Sequence, residues 1–318
     1  MLKYFVRRLL VSIPVLLAVT VIVFALTEIA PGDMVDYFIS SEAQMSAEQL
    51  QNLRERFGLD QPVVTRYFNW LGSVAQGDLG YSFVEARPVA DLVGRRLGAS
   101  LLLIGAAAAI GILIGIPVGV FIALRQYSFW DFLFTGISFL GISMPAFIAG
   151  IFGLYVFAIK LNIFPSGGMR PVDRDPTTWD TIYYLMLPAM ILSLQYIATY
   201  MRYTRFSMLE VTRSDYVTTA RAKGLRERFV VWRHMVPNAI LPVITAIGFS
   251  VPNLVVGAVF TETIFSWPGM GTLYRDAVQG RDVPLLMGMN LVIAAVVLLA
   301  NIFTDLAYAV VDPRIRYE

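Results

Sequence analysis

The sequence predicts an all-α integral membrane protein with six transmembrane helices and a large folded first extracytoplasmic loop. Three observations lead there. The chain is 57% hydrophobic and 15% charged, far oilier than a soluble domain; in water it would expose patches that drive aggregation. Six uncharged runs come close to or exceed the roughly 20 residues that a helix needs to cross the hydrocarbon core. None of them alternates with the dyad period of a membrane β-strand.

The runs are Leu9–Thr27, Ala99–Leu124, Phe132–Ile159, Thr181–Met201, Met235–Thr261 and Val283–Thr304. Lys and Arg beside them set the orientation. Lys3, Arg7 and Arg8 precede the first, Arg125 follows the second, and Arg202 and Arg205 follow the fourth. Arg213, Arg221, Lys223, Arg226, Arg228 and Arg233 continue that loop, and Arg314 and Arg316 follow the sixth. All of these fall on one side, so both termini are expected in the cytoplasm. Arg95 and Arg96 lie on the opposite side, in a long loop, and long loops cross largely regardless of charge. Residues Met1 to Ala30 begin with positive charge, but the apolar run outlasts a usual signal-peptide h-region and no A-x-A site follows. An uncleaved first helix is expected.

The outer loop carries helical signals of its own. In SAEQLQNLRERFGLD, Ser46 and Gln49 have capping-box spacing; Leu50, Leu53 and Phe57 share a face, and Gly58 offers a stop. In PVVTRYFNWLGSV, Tyr67, Trp70, Leu71 and Val74 share a side. This segment is expected to cover the helix bundle, or to rest on the outer membrane surface or an external partner.

Much chemistry is excluded. With no cysteine and one histidine, disulfides, thiolate nucleophiles and multi-histidine metal sites are ruled out. The chain has no phosphate loop, no H-E-x-x-H and no G-x-S-x-G, so neither nucleotide hydrolysis nor these hydrolytic chemistries are expected here. No nucleic-acid module is visible. The span interiors hold almost no charge, which argues against an ion-coupled pump. Glu28, Asp33 and Asp305 lie near span ends, while Gln195, Asn253, Asn290 and Asn301 are more central. Such polar groups join membrane helices or line a passage, and both readings stand.

The basic segment after the fourth run, YVTTARAKGLRERFVVWRHMVPNAILP, is the most informative. From Asp215 a stretch rich in helix formers runs to Gly224, and a second helical piece follows. There Phe229, Trp232 and Val236 fall on an apolar aromatic stripe against a basic face, and Pro237 closes it. A basic amphipathic helix can lie on anionic headgroups; it can also seat its aromatic anchors in a partner's groove.

This segment resembles the cytoplasmic coupling loop of ABC importer permeases, E-A-A, three residues, Gly, nine residues, Ile-x-Leu-Pro. With Gly224 on the signature glycine, Thr218, Thr219 and Ala220 fall on E-A-A, His234 on Ile, Val236 on Leu and Pro237 on Pro. Thr218 replaces the acidic first residue, so a contact made by that glutamate is not carried over. TARAKGL followed by H-x-x-x-N-A-x-L-P is similar to the variant in the dipeptide, oligopeptide and nickel branch. APGD at Ala30, RFGLDQPV at Arg56, GDLGYS at Gly77, SMPAF at Ser143, TETIFSWPGMG at Thr261 and DPRIR at Asp312 resemble that branch in the same order.

The resemblance implies a type-I ABC importer permease architecture. The N-terminal end and first helix occupy 1–30, the outer loop 31–98, and the permease domain 95–309, with helices near 99–124, 132–159, 181–201, 235–261 and 283–304. The coupling loop is 202–236 and the tail 310–318. It further implies a second homologous permease, two cytoplasmic ATPases that hold ATP and Mg, and an extracytoplasmic solute-binding protein, with no cofactor on this chain. Asp215, Thr218, Thr219, Ala220, Ala222, Lys223, Gly224, Phe229, Trp232, His234 and Pro237 become the candidate ATPase-coupling residues. Met144, Pro145, Gln195, Asn253, Trp267 and Asn290 are the candidate passage or gate residues. Peptides are the expected cargo, with nickel or another small solute as the alternative. A secondary transporter or channel, and a membrane enzyme built on His234, are the rival classes.

Overall fold

The computed structural model describes residues 2–29, 51–52, 54–55 and 58–311, with backbone alone at 2–6, 246, 248–257, 303 and 305–311. The expected Ser46–Phe57 helix and the Ala30–Asp33 and Asp312–Arg316 motifs fall mostly or wholly outside the described residues. The chain divides into two compact units, Met1–Gly98 with Gly269–Leu298, and Ala99–Pro268 with Leu299–Glu318.

In the first unit, α1 (Leu2–Ile29) is a long apolar helix and α2 (Val63–Ala75) packs on it. Tyr67, Trp70, Leu71 and Val74 form the half-buried face of α2, as the periodicity predicts. Tyr67 sets its ring edge-on to Phe24 at 5.4 Å and its hydroxyl 3.0 Å from Thr20 Oγ1. Arg66 pairs with Glu28 at 2.8 Å. A two-residue hairpin follows, β1 (Tyr81–Ser82) against β2 (Arg87–Pro88), antiparallel, with Tyr81 opposite Pro88. Asp282, wholly buried, fastens it by accepting from Ser82 Oγ at 2.6 Å and Val84 N at 3.2 Å. Its other oxygen accepts from Leu285 N at 3.1 Å, a helix-start contact that satisfies an otherwise orphaned donor.

The second unit is built on α3 (Val89–Leu124), which starts in the first unit, and α6 (Thr178–Thr212). Gly111, Gly115 and Gly119 recur every fourth residue of α3 and so share one face. A β-carbon there would stand 2.6 Å from Tyr196 Cβ, 2.9 Å from the Ile197 carbonyl oxygen and 2.6 Å from Thr204 Cβ. The small residues let the two helix backbones meet, which is how membrane helices gain van der Waals contact without a hydrophobic driving force. α6 begins at a capping box in which Thr177 and Asp180 satisfy each other's backbone donors.

Between α3 and α6 the chain is bent. Ser128 caps α4 (Phe129–Ser143), and α5 (Ala146–Gly153) follows with a π-helical extension, Leu154–Lys160. The two pieces meet at 102°. Pro145 forces this: it lacks an N–H to continue the helix and pushes the preceding residue out of the α region, so Met144 is extended at φ −80, ψ 118. The expected single helix at 132–159 is therefore a broken one.

Later elements are α7 (Asp215–Ala222), α8 (Glu227–Val230), a π-helical turn (Val231–Met235), α9 (Val236–Ala239), α10 (Leu241–Ile264), α11 (Met270–Gln279) and α12 (Val283–Val311). Among the described residues, four helical stretches are long and apolar enough to cross a membrane: Arg7–Ile29, Val89–Leu124, Thr178–Thr212 and Val283–Ile302. The bent α4–α5 pair makes a fifth if it counts as one span.

Several expected boundaries shift. The helix expected at 235–261 is Leu241–Ile264, preceded by separate α9, because Pro237 and Pro242 each take a first-turn position, where a missing N–H costs nothing. Pro237 thus opens a helix where the sequence suggested a stop. The fourth helix runs to Thr212, so residues 202–212 are helical and the connecting segment begins at Arg213.

Candidate functional site

The Arg213–Ala239 segment folds as an elbow. Arg213 N and Ser214 N bond back to Glu210 and Val211 carbonyls at the end of α6, and Ser214 O accepts from Val217 N and Thr218 N of α7. At the far end of α7, Leu225 N reaches the Ala220 carbonyl and Gly224 N the Arg221 carbonyl. This is the pattern of a helix stop with a left-handed residue after it, and Gly224 has φ +74. Across the turn, Arg221 donates to Glu227 from Nη2 at 2.6 Å and Nε at 3.1 Å. Those hydrogen bonds hold the Glu227 carboxyl below its ordinary value and raise the Arg221 guanidinium.

One side of the elbow is core. Val217, Ala220, Val230, Val231, Met235 and Ala239 bury themselves against Val120 and Ala123 of α3 and Met208 of α6. The other side is open. Asp215, Thr218, Thr219, Ala222, Lys223, Gly224 and Pro237 are exposed, and so are Phe229 (50%) and Trp232 (57%). Thr219 Oγ1 donates back to the Asp215 carbonyl at 2.8 Å, and His234, half-buried, meets the Phe229 ring edge-on at 5.7 Å. The expected stripe of Phe229, Trp232 and Val236 is divided: Val236 packs on the buried cluster while the two rings stay outside. The π-helical turn at Val231–Met235 is the reason, since its wider i→i+5 closure breaks the 3.6-residue register.

Two of the candidate passage residues share a cavity. Met144, beside Pro145, and Gln195 meet in a cavity of about 200 Å³ at the crook of the bent pair. Ile137, Leu140 and Gly141 of α4, Ala146 and Ala149 of α5, and Ile191, Leu192 and Leu194 of α6 complete its largely apolar wall. Asn290 donates to the Leu286 carbonyl of its own helix at 2.8 Å. The side chain of Asn253 lies outside the described residues. Trp267 is fully buried and its indole N–H donates to the Ala99 carbonyl at 2.9 Å, within a cluster including Leu103, Ala189 and Val243. In this chain it is a buried packing residue.

Two buried carboxylates lie outside the residues expected to be functional. Glu262, 1% exposed, accepts a hydrogen bond from Ser100 Oγ. Asp131, 3% exposed, is held by Arg205. Only the Ser128-x-x-Asp131 spacing, typical of a helix start, hinted at the second.

The chain is similar to known proteins along its length. The family model described as "Binding-protein-dependent transport system inner membrane component" matches residues 115–317, and its N-terminal companion matches 1–104. A protein of Brucella suis biovar 1 (strain 1330) is 46% identical over 99% of both chains. The oligopeptide transport system permease protein AppB of Bacillus subtilis (strain 168) is 39% identical, and the dipeptide transport system permease protein DppB of Escherichia coli (strain K12) 38%, each over 100% of both chains. Among solved structures, a chain of the MetNI methionine ABC transporter in an inward-facing conformation aligns with TM-score 0.57 at 16% identity, covering 70% of this chain and 96% of that one; it shares the fold. From the matched models and full-length relatives, the chain belongs to the binding-protein-dependent transport system inner membrane components, as a multi-pass permease subunit of the ABC importer type whose role is transport.

Proposed function

We propose that this chain is one of two homologous permeases in an ATP-driven peptide importer, seated in the cytoplasmic membrane with both termini inside the cell. In this reading α10 joins the four long helices and the bent pair to make six spans. An external solute-binding protein delivers the peptide. Two cytoplasmic ATPases, which carry ATP and Mg, close on the elbows of the two permeases. The names of AppB and DppB support peptides as cargo.

The observation that carries the reading is the elbow. Its aliphatic side chains are buried against α3 and α6, while Phe229 and Trp232 stay open beside a run of Arg and Lys. Large aromatic anchors ringed by charge suit a partner's groove. Because the elbow is packed on two long helices, a push on its exposed side moves those helices, and the passage between two permeases alternates its opening.

Affinity purification in mild detergent tests this. Two ATPases and a second permease are expected to co-purify, and Phe229→Ala with Trp232→Ala is expected to shed the ATPases while the permease pair survives. Full retention of the ATPases by that double variant would place the contact elsewhere.

A further inference from the structure

We propose that Asp131 and Arg205 are positioning residues that carry movement of the elbow into the bent α4–α5 span, and so set the shape of the cavity at its crook. The proposal rests on the elbow being where the ATPases act.

Arg205 approaches Asp131 as a fork, Nε to Oδ1 at 2.6 Å and Nη2 to Oδ2 at 2.8 Å. The Asp131 side chain is 4% exposed and that of Arg205 26%. The same carboxylate accepts from Tyr127 N at 3.0 Å and Thr135 Oγ1 at 3.4 Å. Tyr127, at φ +63, lies in the short link between α3 and α4, a left-handed conformation that a bulky side chain adopts only when its surroundings hold it. One carboxylate therefore fastens three segments: the link after α3, the first turns of α4, and α6.

Its location makes the fastening mechanical. Arg205 stands about two turns before the end of α6, and α7 starts at Asp215, three residues after that end. The backbone bonds of Arg213 and Ser214 leave little slack between them. Beyond the ion pair, α4 and then α5 follow α6. Arg202 lies over the Phe139 ring at 5.3 Å, and Gly153 comes so close that a β-carbon there would stand 2.5 Å from Ile191 Cδ1. The cavity lies between those two contacts. A tilt of the elbow that drags Arg205 thus drags α4 with it. A purely stabilising role is a poor explanation, because a buried ion pair is weak evidence for stability, whereas a planar fork transmits orientation as well as attraction.

The test uses the whole complex, both permeases with ATPases and binding protein, in proteoliposomes. Arg205→Lys keeps the charge and loses the fork. Peptide imported per ATP hydrolysed is expected to fall about tenfold, within the usual range of coupling between sites, with assembly and basal ATPase retained. The chain has no cysteine, so Tyr216→Cys on α7 and Ile142→Cys on α4 can carry spin labels. Their separation is expected to stay constant through the nucleotide cycle with Arg205 present and to vary with Lys in its place. Asp131→Asn, nearly isosteric, repeats the test if the lysine variant does not assemble. Unchanged import per ATP, a label separation that varies equally in both forms, or loss of assembly in both variants overturns the proposal. A parent complex that imports without ATP refutes the functional reading instead.

Discussion

Replacing Gly224 separates backbone geometry from surface contact at the elbow. Gly224 has φ +74, and a β-carbon built on it meets nothing within 4 Å. Alanine therefore introduces no clash, only the cost of a left-handed backbone, about 1–2 kcal/mol for an L residue. That shifts the population of the formed turn by a factor of about 5–30. Asparagine tolerates the same conformation with a smaller penalty, and proline, locked near φ −65, cannot adopt it. Substrate-stimulated ATPase and peptide uptake in proteoliposomes should rank Gly, Asn, Ala, Pro in falling order, with membrane insertion unchanged throughout. Equal losses for Asn and Ala would show that the exposed surface, and not the angle, matters at this position. Normal coupled uptake with Gly224→Pro would refute the elbow as the moving part.

Other outcomes follow from the packing. Gly119→Ala places a β-carbon 2.7 Å from the Met201 carbonyl oxygen, which cannot yield without parting α3 from α6; a loss of about 1–3 kcal/mol is expected as a lower thermal midpoint. Gly105→Ala in the same helix meets nothing within 4 Å, and should leave stability unchanged or raise it by up to about 1 kcal/mol through helix propensity, read as an unchanged or higher midpoint. Trp267→Phe removes the hydrogen bond to the Ala99 carbonyl and should cost about 1–3 kcal/mol of stability, read as a lower midpoint. The Arg221–Glu227 pair is exposed and contributes at most about 1 kcal/mol. Because the Glu227 carboxyl is held below its ordinary 4.5, that contribution is complete above this pH and fades as pH falls through the lower folded value. Glu227→Gln should abolish that acid dependence in a thermal titration.

The elbow was legible because it is built from near-neighbours. A glycine between two helix-forming pieces is a local signal, and the structure has both pieces where the composition puts them; the aromatic stripe is split, because a π-helical turn sends Val236 inward and leaves the two rings outside. The broken fourth-to-fifth helix was half legible. Pro145 stands in the sequence, but prolines in membrane helices produce anything from a mild kink to a full break, and the 102° bend is set by where Met144 goes. Helix ends misled for a related reason. Arg202 and Arg205 ended the apolar run, yet the helix continues because one cation lies over Phe139 and the other is paired with Asp131. That pair spans 74 residues of chain, and Ser100 and Glu262 span 162; no periodicity brings such partners together. The glycines at 111, 115 and 119 have a plain four-residue spacing on which no expectation was built, and their close approach to α6 came only with the structure.

The central claim is that this chain transports only when driven by companion ATPases through the elbow. Uptake of labelled peptide into proteoliposomes, with the complete complex against the permease pair alone under a proton gradient, tests it most directly. Uptake is expected to need ATP and the ATPases and to disappear with Gly224→Pro. Uptake by the permeases alone, without nucleotide, would contradict it.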